Sequence, residues 1–339
     1  MTGGNRIAAL LAGVLLILVS PSPASSEVRQ PVGVGLHTSA RGGGTGPALR
    51  TPLAVLDRAV RCSRLANRRN KKRTVLLVHG TAGTPSEVWG WAFERQLTAD
   101  GFGWCDVKLP QRALGSFTVA AEYAVNAARV AYRRSGRKIA LAGHSQGGAM
   151  VLWIAKFWPD VARHASDVIS IAGPLRGTTV ANGLCITGRC APLVWQMTHG
   201  GHTMRALANA PLPAGLAVTS VGTQLDELIT PQPSAGSGHG FHAIEVQSIC
   251  PGHVADHALL SSDPVAYALM IDAMTHRGPA RPGRIPHRVC NQLALPKADL
   301  MGGVGFVNVG LSFATGLLDP LTWVAHEPRV PAYAGRYDY

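Results

Sequence analysis

A serine lies between two glycines at a point where an apolar run meets a helical pattern. The segment covers residues 139–148 and reads IALAGHSQGG, with Ser145 at the centre of a G-x-S-x-G motif. A strand that turns sharply into a helix here exposes the serine hydroxyl, and Gly143 and Gly147 leave room for the neighbouring backbone. A phosphate-binding loop would need a GK[ST] or GxGxxG pattern, and this segment has neither. The motif therefore predicts a catalytic serine that attacks a carbonyl carbon.

A serine hydroxyl becomes nucleophilic when a base accepts its proton, and an acid must hold that base in the correct tautomer. After a serine turn of this kind, the acid follows a later strand and a histidine follows the last strand. Asp226 comes directly after the predicted strand 216–222 and is the candidate acid. Its neighbour Glu227 has the character of a solvated loop charge.

The base must come after the predicted strand 243–249. The histidines in that part of the chain are His253, His257, His276, His287 and His326. His253 and His257 lie nearest the strand end, and their spacing also resembles half of a zinc site. Val254 stands where a zinc protease would have glutamate, and the cysteines lack CxxC spacing. We therefore expect proton transfer by one of these two histidines, with no metal and no organic cofactor.

The negative charge that develops on a substrate oxygen needs a pair of backbone donors. One is the residue after the nucleophile, Gln146, and the other comes from a loop after an early strand. The predicted strand 74–79 runs into His79-Gly80-Thr81-Ala82-Gly83-Thr84, a loop of small residues. Because open α/β sheets bind ligands at the carboxyl ends of their strands, we expect this loop to be functional and not an ordinary turn.

Apolar runs alternating with helical patterns must position these groups. Strands are predicted at 74–79, 104–109, 138–142, 168–172, 216–222 and 243–249, and helices at 87–100, 118–134, 146–157 and 264–276. Pro159 is expected to stop the third helix. Strands separated by helices of this length are joined by right-handed crossovers. The fold class is therefore predicted to be α/β with a mostly parallel sheet.

The regular alternation stops in two places. Residues 177–213 mix Gly, Thr and Pro with apolar residues such as Trp195 and Met197, which predicts a cap over the site. From Pro279 onward the tail holds seven prolines, too many for a continuous helix or a central strand. We expect the tail to wrap the surface, with 304–318 docking on the core or forming part of an entrance.

The first residues have the pattern of an exported protein. Arg6 precedes an apolar run at 7–19 and then Ser, Pro and Ala up to residue 26, which predicts a secretory signal peptide. The run is shorter than the roughly 20 residues that cross a bilayer, so we expect no transmembrane span. A glycine-rich stretch follows and is expected to be flexible. In an oxidising compartment the six cysteines should form three disulfides.

The composition, 46% apolar and 15% charged, excludes disorder as the main state. Lys and Arg outnumber Asp and Glu by 32 to 19, which by itself would admit an anionic partner. Apart from a cluster at 68–73, however, the basic residues are scattered along the chain and have no aromatic ladder beside them. We therefore expect no nucleic-acid partner.

Several segments together resemble the Candida antarctica lipase B-like family of secreted lipases, over about residues 56–300. They are Leu77-Val78-His79-Gly80-Thr81, Glu122-Tyr123-Ala124-Val125-Asn126-Ala127, Ser145-Gln146-Gly147-Gly148, Asp226-Glu227-Leu228-Ile229-Thr230-Pro231-Gln232, and Cys250 with Asp256-His257-Ala258. The resemblance implies an α/β-hydrolase fold and a triad of Ser145, Asp226 and His257. It also implies oxyanion donors at Thr81 and Gln146, with the hydroxyl of Thr81 as an additional donor.

The same resemblance implies disulfides Cys62–Cys105 and Cys250–Cys290, which leaves Cys185–Cys190 by elimination. The expected organisation is a signal peptide at 1–26, a flexible lead-in at 27–50, an α/β-hydrolase domain at 51–300 with a cap at about 177–213, and a C-terminal extension at 301–339 packed on the domain. The cap region matches the family only loosely and the last forty residues are dissimilar, so the resemblance implies nothing about cap mobility.

The expected activity is that of a secreted, monomeric serine ester hydrolase acting on acylglycerols or other lipophilic esters. One alternative is an envelope acyltransferase, which would pass the same acyl group to an alcohol or a sugar. A second is a secreted module without catalysis that binds an anionic envelope through its positive charge. Labelling by a serine-directed phosphonate separates both enzymes from that module.

Overall fold

The computed structural model describes residues 44–339. The predicted signal peptide and the first part of the lead-in therefore lie outside the described residues. The end of the lead-in lies against the domain: the carbonyls of Thr45 and Pro47 accept hydrogen bonds of 2.9 Å from Arg129 Nη2 and Trp158 Nε1. Ordered contacts thus begin before Thr51, the start that the sequence suggested.

A seven-stranded sheet organises the chain, in the order β1-β3-β2-β4-β5-β6-β7. The strands are β1 Val60–Cys62, β2 Thr74–Val78, β3 Gly103–Val107, β4 Ile139–His144, β5 Ala165–Ile171, β6 Ala217–Gly222 and β7 Ala243–Glu245. Only the pairing of β1 with β3 is antiparallel. Every residue of β2, β3 and β4 is buried, as expected for parallel strands covered on both faces. The predicted α/β class with a mostly parallel sheet is confirmed.

Helices cover both faces of the sheet. They are α1 Leu53–Arg58, α2 Phe93–Ala99, α3 Phe117–Ser135, α4 Gln146–Phe157, α5 Pro159–His164, α6 Thr179–Leu184, α7 Pro192–Gln196, α8 His202–Asn209, α9 Pro264–Thr275, α10 Gly305–Leu317 and α11 Ala332–Gly335. Helices α3 and α4 pack with Leu76 and Val78 in one core, while α2 and α9 pack with Val75 and Leu77 in the other. Alternate residues of β2 thus enter opposite cores, as the period of a strand requires.

The structure differs from the sequence predictions at several element boundaries. The helix predicted at 87–100 is a π-helical turn, Ser86–Gly90, followed by α2. Pro159 begins α5, because a proline at the first helical position loses no helical hydrogen bond. The last strand stops at Glu245, where a short 3-10 turn begins. The edge strand β1 was not predicted, since its three residues are too few to show a period.

Three disulfides join the expected cysteine pairs: Cys62–Cys105, Cys185–Cys190 and Cys250–Cys290. The first links edge strand β1 to β3, the second closes a short loop between α6 and α7, and the third ties the chain after β7 to the tail.

The cap region contains α6, α7 and α8, and the tail crosses it. The backbone of Val324 exchanges hydrogen bonds with that of Cys190, and Asp338 pairs with Arg205 of α8 at 2.7 Å. The tail also contains α10, a helix of 13 residues, although its proline content predicted no continuous helix. Residues 297–319 contain no proline, and this gap accommodates the helix. Over residues 44–339, no helix has both the length and the apolar character needed to cross a membrane.

Candidate active site

The Ser145 backbone adopts a conformation that most residues avoid. Ser145 lies between the last residue of β4 and the first residue of α4, and its φ is 56° and its ψ is −128°. The Ser145 N–H donates to the Ile171 carbonyl at 2.8 Å, which helps to hold this turn. Strained backbone of this kind persists where the surroundings fix it, and it is concentrated at functional sites.

The two glycines of the motif are required by close backbone contacts. A Cβ at Gly143 would lie 2.1 Å from the Gly147 carbonyl oxygen, and a Cβ at Gly147 would lie 2.1 Å from the Val78 carbonyl oxygen. Gly80 has the same role in the facing loop, where a Cβ would lie 2.8 Å from Cβ of Ser145. Gly143 and Gly147 therefore leave room for the neighbouring backbone, as the motif predicted. The contact at Gly80 shows that the loop after β2 lies against the serine.

Asp226 and His257 form a buried pair. The Nδ1 atom of His257 lies 3.0 and 3.1 Å from the two carboxylate oxygens of Asp226. Asp226 Oδ1 also accepts hydrogen bonds from the backbone of Leu228 and Ile229, at 3.0 and 2.7 Å. The carboxylate is thus fixed by its own loop and holds the imidazole with Nδ1 protonated, so Nε2 is the acceptor.

A second histidine holds His257 beside the serine turn. Nε2 of His144 donates to the His257 carbonyl at 2.8 Å. Burial lowers the pKa of His144 to about 3, so its ring stays neutral at ordinary pH. Within the described part of the chain, Ser145 Oγ makes no hydrogen bond to His257. Catalytic hydrogen bonds are often long before substrate binds and tighten in the complex.

Two polar residues that were not predicted from the sequence join the loop that carries Asp226, which we call the acid loop, to the loop that carries His253 and His257, which we call the base loop. The Thr223 hydroxyl donates to the Ala255 carbonyl at 2.6 Å, and Gln247 Nε2 donates to Thr223 Oγ1 and to the His253 carbonyl at 2.8 and 3.0 Å. In the sequence, they could be found only from their positions within two residues of the ends of β6 and β7.

Glu227 is exposed, as expected for a charged loop residue, but its carboxylate also has a partner in the protein. Its carboxylate accepts a hydrogen bond of 3.2 Å from the backbone N–H of His257. The expectation that Glu227 would face only water was therefore incomplete, because the two loops meet here. Its carboxylate helps to hold the base loop, while Asp226 contacts the ring.

The other candidate histidines lie elsewhere. Nε2 of His253 bonds to Asp263, which raises the pKa of His253 above its ordinary value. Asp263 also caps the first turn of α9, so this pair belongs to that helix. His276 lies 3.0 Å from Asp272, whereas His287 and His326 are exposed. Of the five, only His257 contacts Asp226.

Thr81 and Gln146 line the same pocket as Ser145. Neither backbone N–H donates to another residue of the described chain. The Thr81 hydroxyl donates to Gln146 Oε1 at 2.9 Å, while the buried Nε2 of Gln146 has no partner among the described residues. A half-turn of this carboxamide would let Nε2 donate to the Thr81 hydroxyl and release its proton toward a ligand.

The buried side chain of His79 helps to fix the loop that carries Thr81. His79 Nδ1 donates to the Gly80 carbonyl at 2.8 Å and Nε2 accepts from the backbone of Leu109 at 3.1 Å. Burial lowers the pKa of His79 to about 4, which keeps the ring neutral for these two roles. This role of His79 was not predicted from the sequence.

Arg112 holds the same loop from outside. Its Nε donates to the Ala82 carbonyl at 2.9 Å and its Nη2 donates to Glu87 at 2.7 Å. Gln111, Arg112 and Ala113 have positive φ angles of 50°, 54° and 57°. Three consecutive left-handed residues without glycine are strained, and no residue type in the sequence indicated this turn.

The pocket beside Ser145 is mainly apolar. Its lining comes from the loops after β2 and β5, the serine turn, the cap region, the acid loop and the tail: Thr81, Ser145, Gln146, Pro174, Thr178, Val180, Ala181, Leu184, Leu193, Val194, Met197, Leu228, Ile229, Phe313 and Leu317. Met197 lines it as expected, but Trp195 does not; its Nε1 donates to the Val324 carbonyl at 3.0 Å instead. Phe313 and Leu317 belong to α10, so the apolar part of the tail does form a wall of the entrance.

Comparisons with known proteins agree with this architecture. The chain is 30% identical over 266 residues to lipase B of Pseudozyma antarctica, covering 76% of this chain and 77% of that protein. The crystal structure of Aspergillus fumigatus lipase B shares the fold with a TM-score of 0.75 at 23% identity, over 90% of this chain and 77% of that chain. No family model matches the sequence. From its identity to a curated lipase B over three quarters of its length, the chain belongs to the lipase B family and is a lipase or carboxylesterase of the α/β-hydrolase fold.

Proposed function

We propose that the protein is a secreted serine hydrolase that cleaves acylglycerols or other lipophilic esters through an acyl-enzyme on Ser145. The observation that carries this proposal is the position of the strained Ser145. Ser145 lines one pocket with Thr81 and Gln146, whose backbone N–H groups have no acceptor among residues 44–339, and the loop of the His257–Asp226 pair is bonded to His144, the residue before Ser145.

In the first half-reaction, Ser145 Oγ attacks the ester carbonyl carbon while His257 Nε2 takes the hydroxyl proton. The carbonyl oxygen becomes an oxyanion and accepts hydrogen bonds from Thr81 and Gln146. When the tetrahedral intermediate collapses, the bond to the alcohol oxygen breaks and His257 gives its proton to that oxygen. Asp226 orients the ring and stabilises its positive charge throughout.

In the second half-reaction, water attacks the acyl carbon and gives a proton to His257. Collapse of the second intermediate releases the carboxylic acid and returns the proton to Ser145 Oγ. Each step uses groups of this chain and water alone, so the mechanism needs no metal or organic cofactor.

The pocket supports a lipophilic acyl group as the substrate part bound beside the serine. Its walls are formed mainly by aliphatic side chains such as Leu184, Val194 and Leu317. Each buried methylene of an acyl chain gains about 0.8 kcal/mol in such surroundings, whereas a charged group would lose its hydration. The disulfides support export, and we propose a monomer in the extracellular space or the cell envelope.

The test combines labelling with substrate profiling. The wild-type protein should form a single adduct with a serine-directed phosphonate, and peptide mapping should locate it on Ser145. Ser145→Ala should abolish both the adduct and the cleavage of p-nitrophenyl esters, while Ser234→Ala, at an exposed serine, should keep both. An adduct at another residue, or one retained in Ser145→Ala, would contradict the proposal.

Substrate profiling then separates hydrolysis from acyl transfer. Triolein and p-nitrophenyl esters of several chain lengths are tested with and without an added alcohol. Hydrolysis predicts free fatty acid as the main product in water. A product that is mostly the new ester at low alcohol concentration would identify an acyltransferase with the same acyl-enzyme.

A further inference from the structure

Two segments that are distant in the sequence form one positively charged surface. Arg137 Nη1 donates to the Lys71 carbonyl at 3.0 Å and its Nη2 donates to the Arg68 carbonyl at 3.4 Å. A Cβ at Gly136 would lie 2.9 Å from Cγ of Arg68. The loop before β2 therefore lies beside the turn between α3 and β4. Outside the cluster at 68–73, the basic residues are scattered along the sequence as expected. In the folded protein, however, those at 133–138 lie beside the cluster.

We call residues 64–73 and 133–138 the basic face. They contain ten Lys or Arg residues and no Asp or Glu: Arg64, Arg68, Arg69, Lys71, Lys72, Arg73, Arg133, Arg134, Arg137 and Lys138. Arg73 is paired with Asp167 at 2.8 Å. The other nine make no salt bridge with any residue between 44 and 339. Unpaired like charges repel one another and oppose folding. An anion that binds here relieves this repulsion and is attracted by the combined electrostatic field of the cations.

The loop of the basic face is ordered by its own side chains. Asn67 Oδ1 accepts from the backbone of Arg69 at 2.8 Å, and Asn70 Nδ2 donates to the carbonyls of Leu65 and Gly101 at 3.0 and 3.1 Å. The cations are thus presented on a fixed backbone. A fixed array loses less conformational entropy on binding than a flexible basic tail does.

The basic face lies at the opposite end of the sheet from the catalytic groups. Arg73 and Lys138 immediately precede β2 and β4, whereas Thr81 and Ser145 follow the other ends of the same strands. These strands have five and six residues, so the two ends are about 15–20 Å apart. A partner on the basic face would leave the pocket open.

We propose that the basic face binds a linear polyanion that carries phosphate or sulfate groups. Guanidinium groups match the geometry of such tetrahedral oxyanions, and release of counterions from the polymer drives association. The basic face has no exposed large apolar side chain to insert into a bilayer and no exposed aromatic side chain to stack on bases. These properties favour an anionic polymer over a membrane and over recognition of nucleobases.

The experiment compares two variants of equal charge. Arg69→Gln/Lys71→Gln/Arg133→Gln/Arg134→Gln removes four exposed cations of the basic face. Arg277→Gln/Arg281→Gln/Arg288→Gln/Arg329→Gln removes four exposed cations elsewhere. Binding of inorganic polyphosphate, heparin and vesicles of anionic phospholipid is measured at several salt concentrations, and hydrolysis of a soluble ester verifies that each variant is folded.

We expect wild-type protein to bind polyphosphate and heparin with an affinity that falls with salt. The first variant should bind at least about tenfold more weakly and with a shallower salt dependence, while the control should stay within about twofold. Equal losses in both variants would show an effect of net charge alone and overturn the proposal. Binding to vesicles but not to either polymer would also overturn it. Ester hydrolysis should be unchanged in both variants, so the test is separate from that of the catalytic proposal.

Discussion

His257 Nδ1 lies 3.0 and 3.1 Å from the two oxygens of Asp226, and both side chains are almost completely buried. Four residues earlier in the chain, His253 bonds to Asp263 instead. These two histidine–aspartate pairs belong to different parts of the structure: the first to the base loop and the second to the start of α9.

Replacing each histidine should separate the two pairs by activity. We expect His257→Ala to lower ester hydrolysis by about 10⁴-fold or more, because only substrate binding and the oxyanion donors would remain. His253→Ala should keep activity within about tenfold, since it makes no contact with the transition state. Both are assayed on one soluble ester after circular dichroism shows that they are folded. The reverse pattern would assign the base to His253.

The His253–Asp263 pair should appear in the pH dependence of stability. Its hydrogen bond raises the pKa of His253 above its ordinary 6.5, so protonated His253 is favoured in the folded state. This contribution is complete below about pH 6.5 and is lost as the pH rises through the raised pKa. The difference in Tm between wild type and His253→Gln should therefore shrink with increasing pH. A difference that stays constant from pH 5 to about 9 would contradict this assignment.

Thr81→Val keeps the shape of the side chain and the backbone donor but removes the hydroxyl. If the hydroxyl turns from Gln146 to the oxyanion, kcat should fall by about 10² to 10³ while KM changes little. Thr179→Val, at an exposed threonine, serves as the matched control. An unchanged kcat in Thr81→Val would show that the backbone N–H alone serves.

Arg112→Met should act through the position of the Thr81 loop. The variant removes the hydrogen bonds to the Ala82 carbonyl and Glu87, and the strained turn at 111–113 can then relax. We expect kcat to fall by about tenfold to 10²-fold, because small displacements of catalytic donors are costly. Arg95→Met, at an exposed arginine, should have little effect on kcat. A rise in KM alone would instead indicate a role in substrate binding.

The disulfides should differ in what they stabilise. Removing Cys62–Cys105, which closes a loop of 43 residues, should cost about 2 to 5 kcal/mol of unfolding free energy. Removing Cys185–Cys190, only five residues apart, should cost less and change the hydrolysis of long-chain esters more than stability. Urea unfolding and ester profiling measure both effects. Non-reducing peptide mapping that finds free thiols or crossed pairs would refute the pairing.

The strained turn at Ser145, our proposed nucleophile, could be predicted from the sequence because its motif is local. Gly143, Ser145 and Gly147 fall within five consecutive residues, and Gln146 follows Ser145 directly. Asp226 could be predicted from the order of strands. The choice between His253 and His257 needed the family resemblance, because both follow the last strand closely and satisfy the same order of elements.

Residues that act through distant contacts could not be predicted in this way. Arg112 reaches Ala82 across a turn that contains no glycine, so nothing in its neighbours indicates strain. The basic face joins residues 64–73 with residues 133–138, which are brought together only when β2 and β4 pair side by side. Such surfaces depend on strand order, and strand order is a property of the whole chain.

Segments far along the chain from Ser145 hold the cap region in place, and this has a consequence for the order in which the pocket is completed. Val324 pairs with Cys190, and Asp338 pairs with Arg205. Phe313 and Leu317 supply a wall of the pocket. During synthesis, Ser145 leaves the ribosome well before Phe313, Leu317 and Val324. A nascent chain that has not yet reached these residues therefore contains the serine turn but lacks one wall of the pocket, so the acyl-binding surface that we propose forms only after this later segment has folded against the cap region.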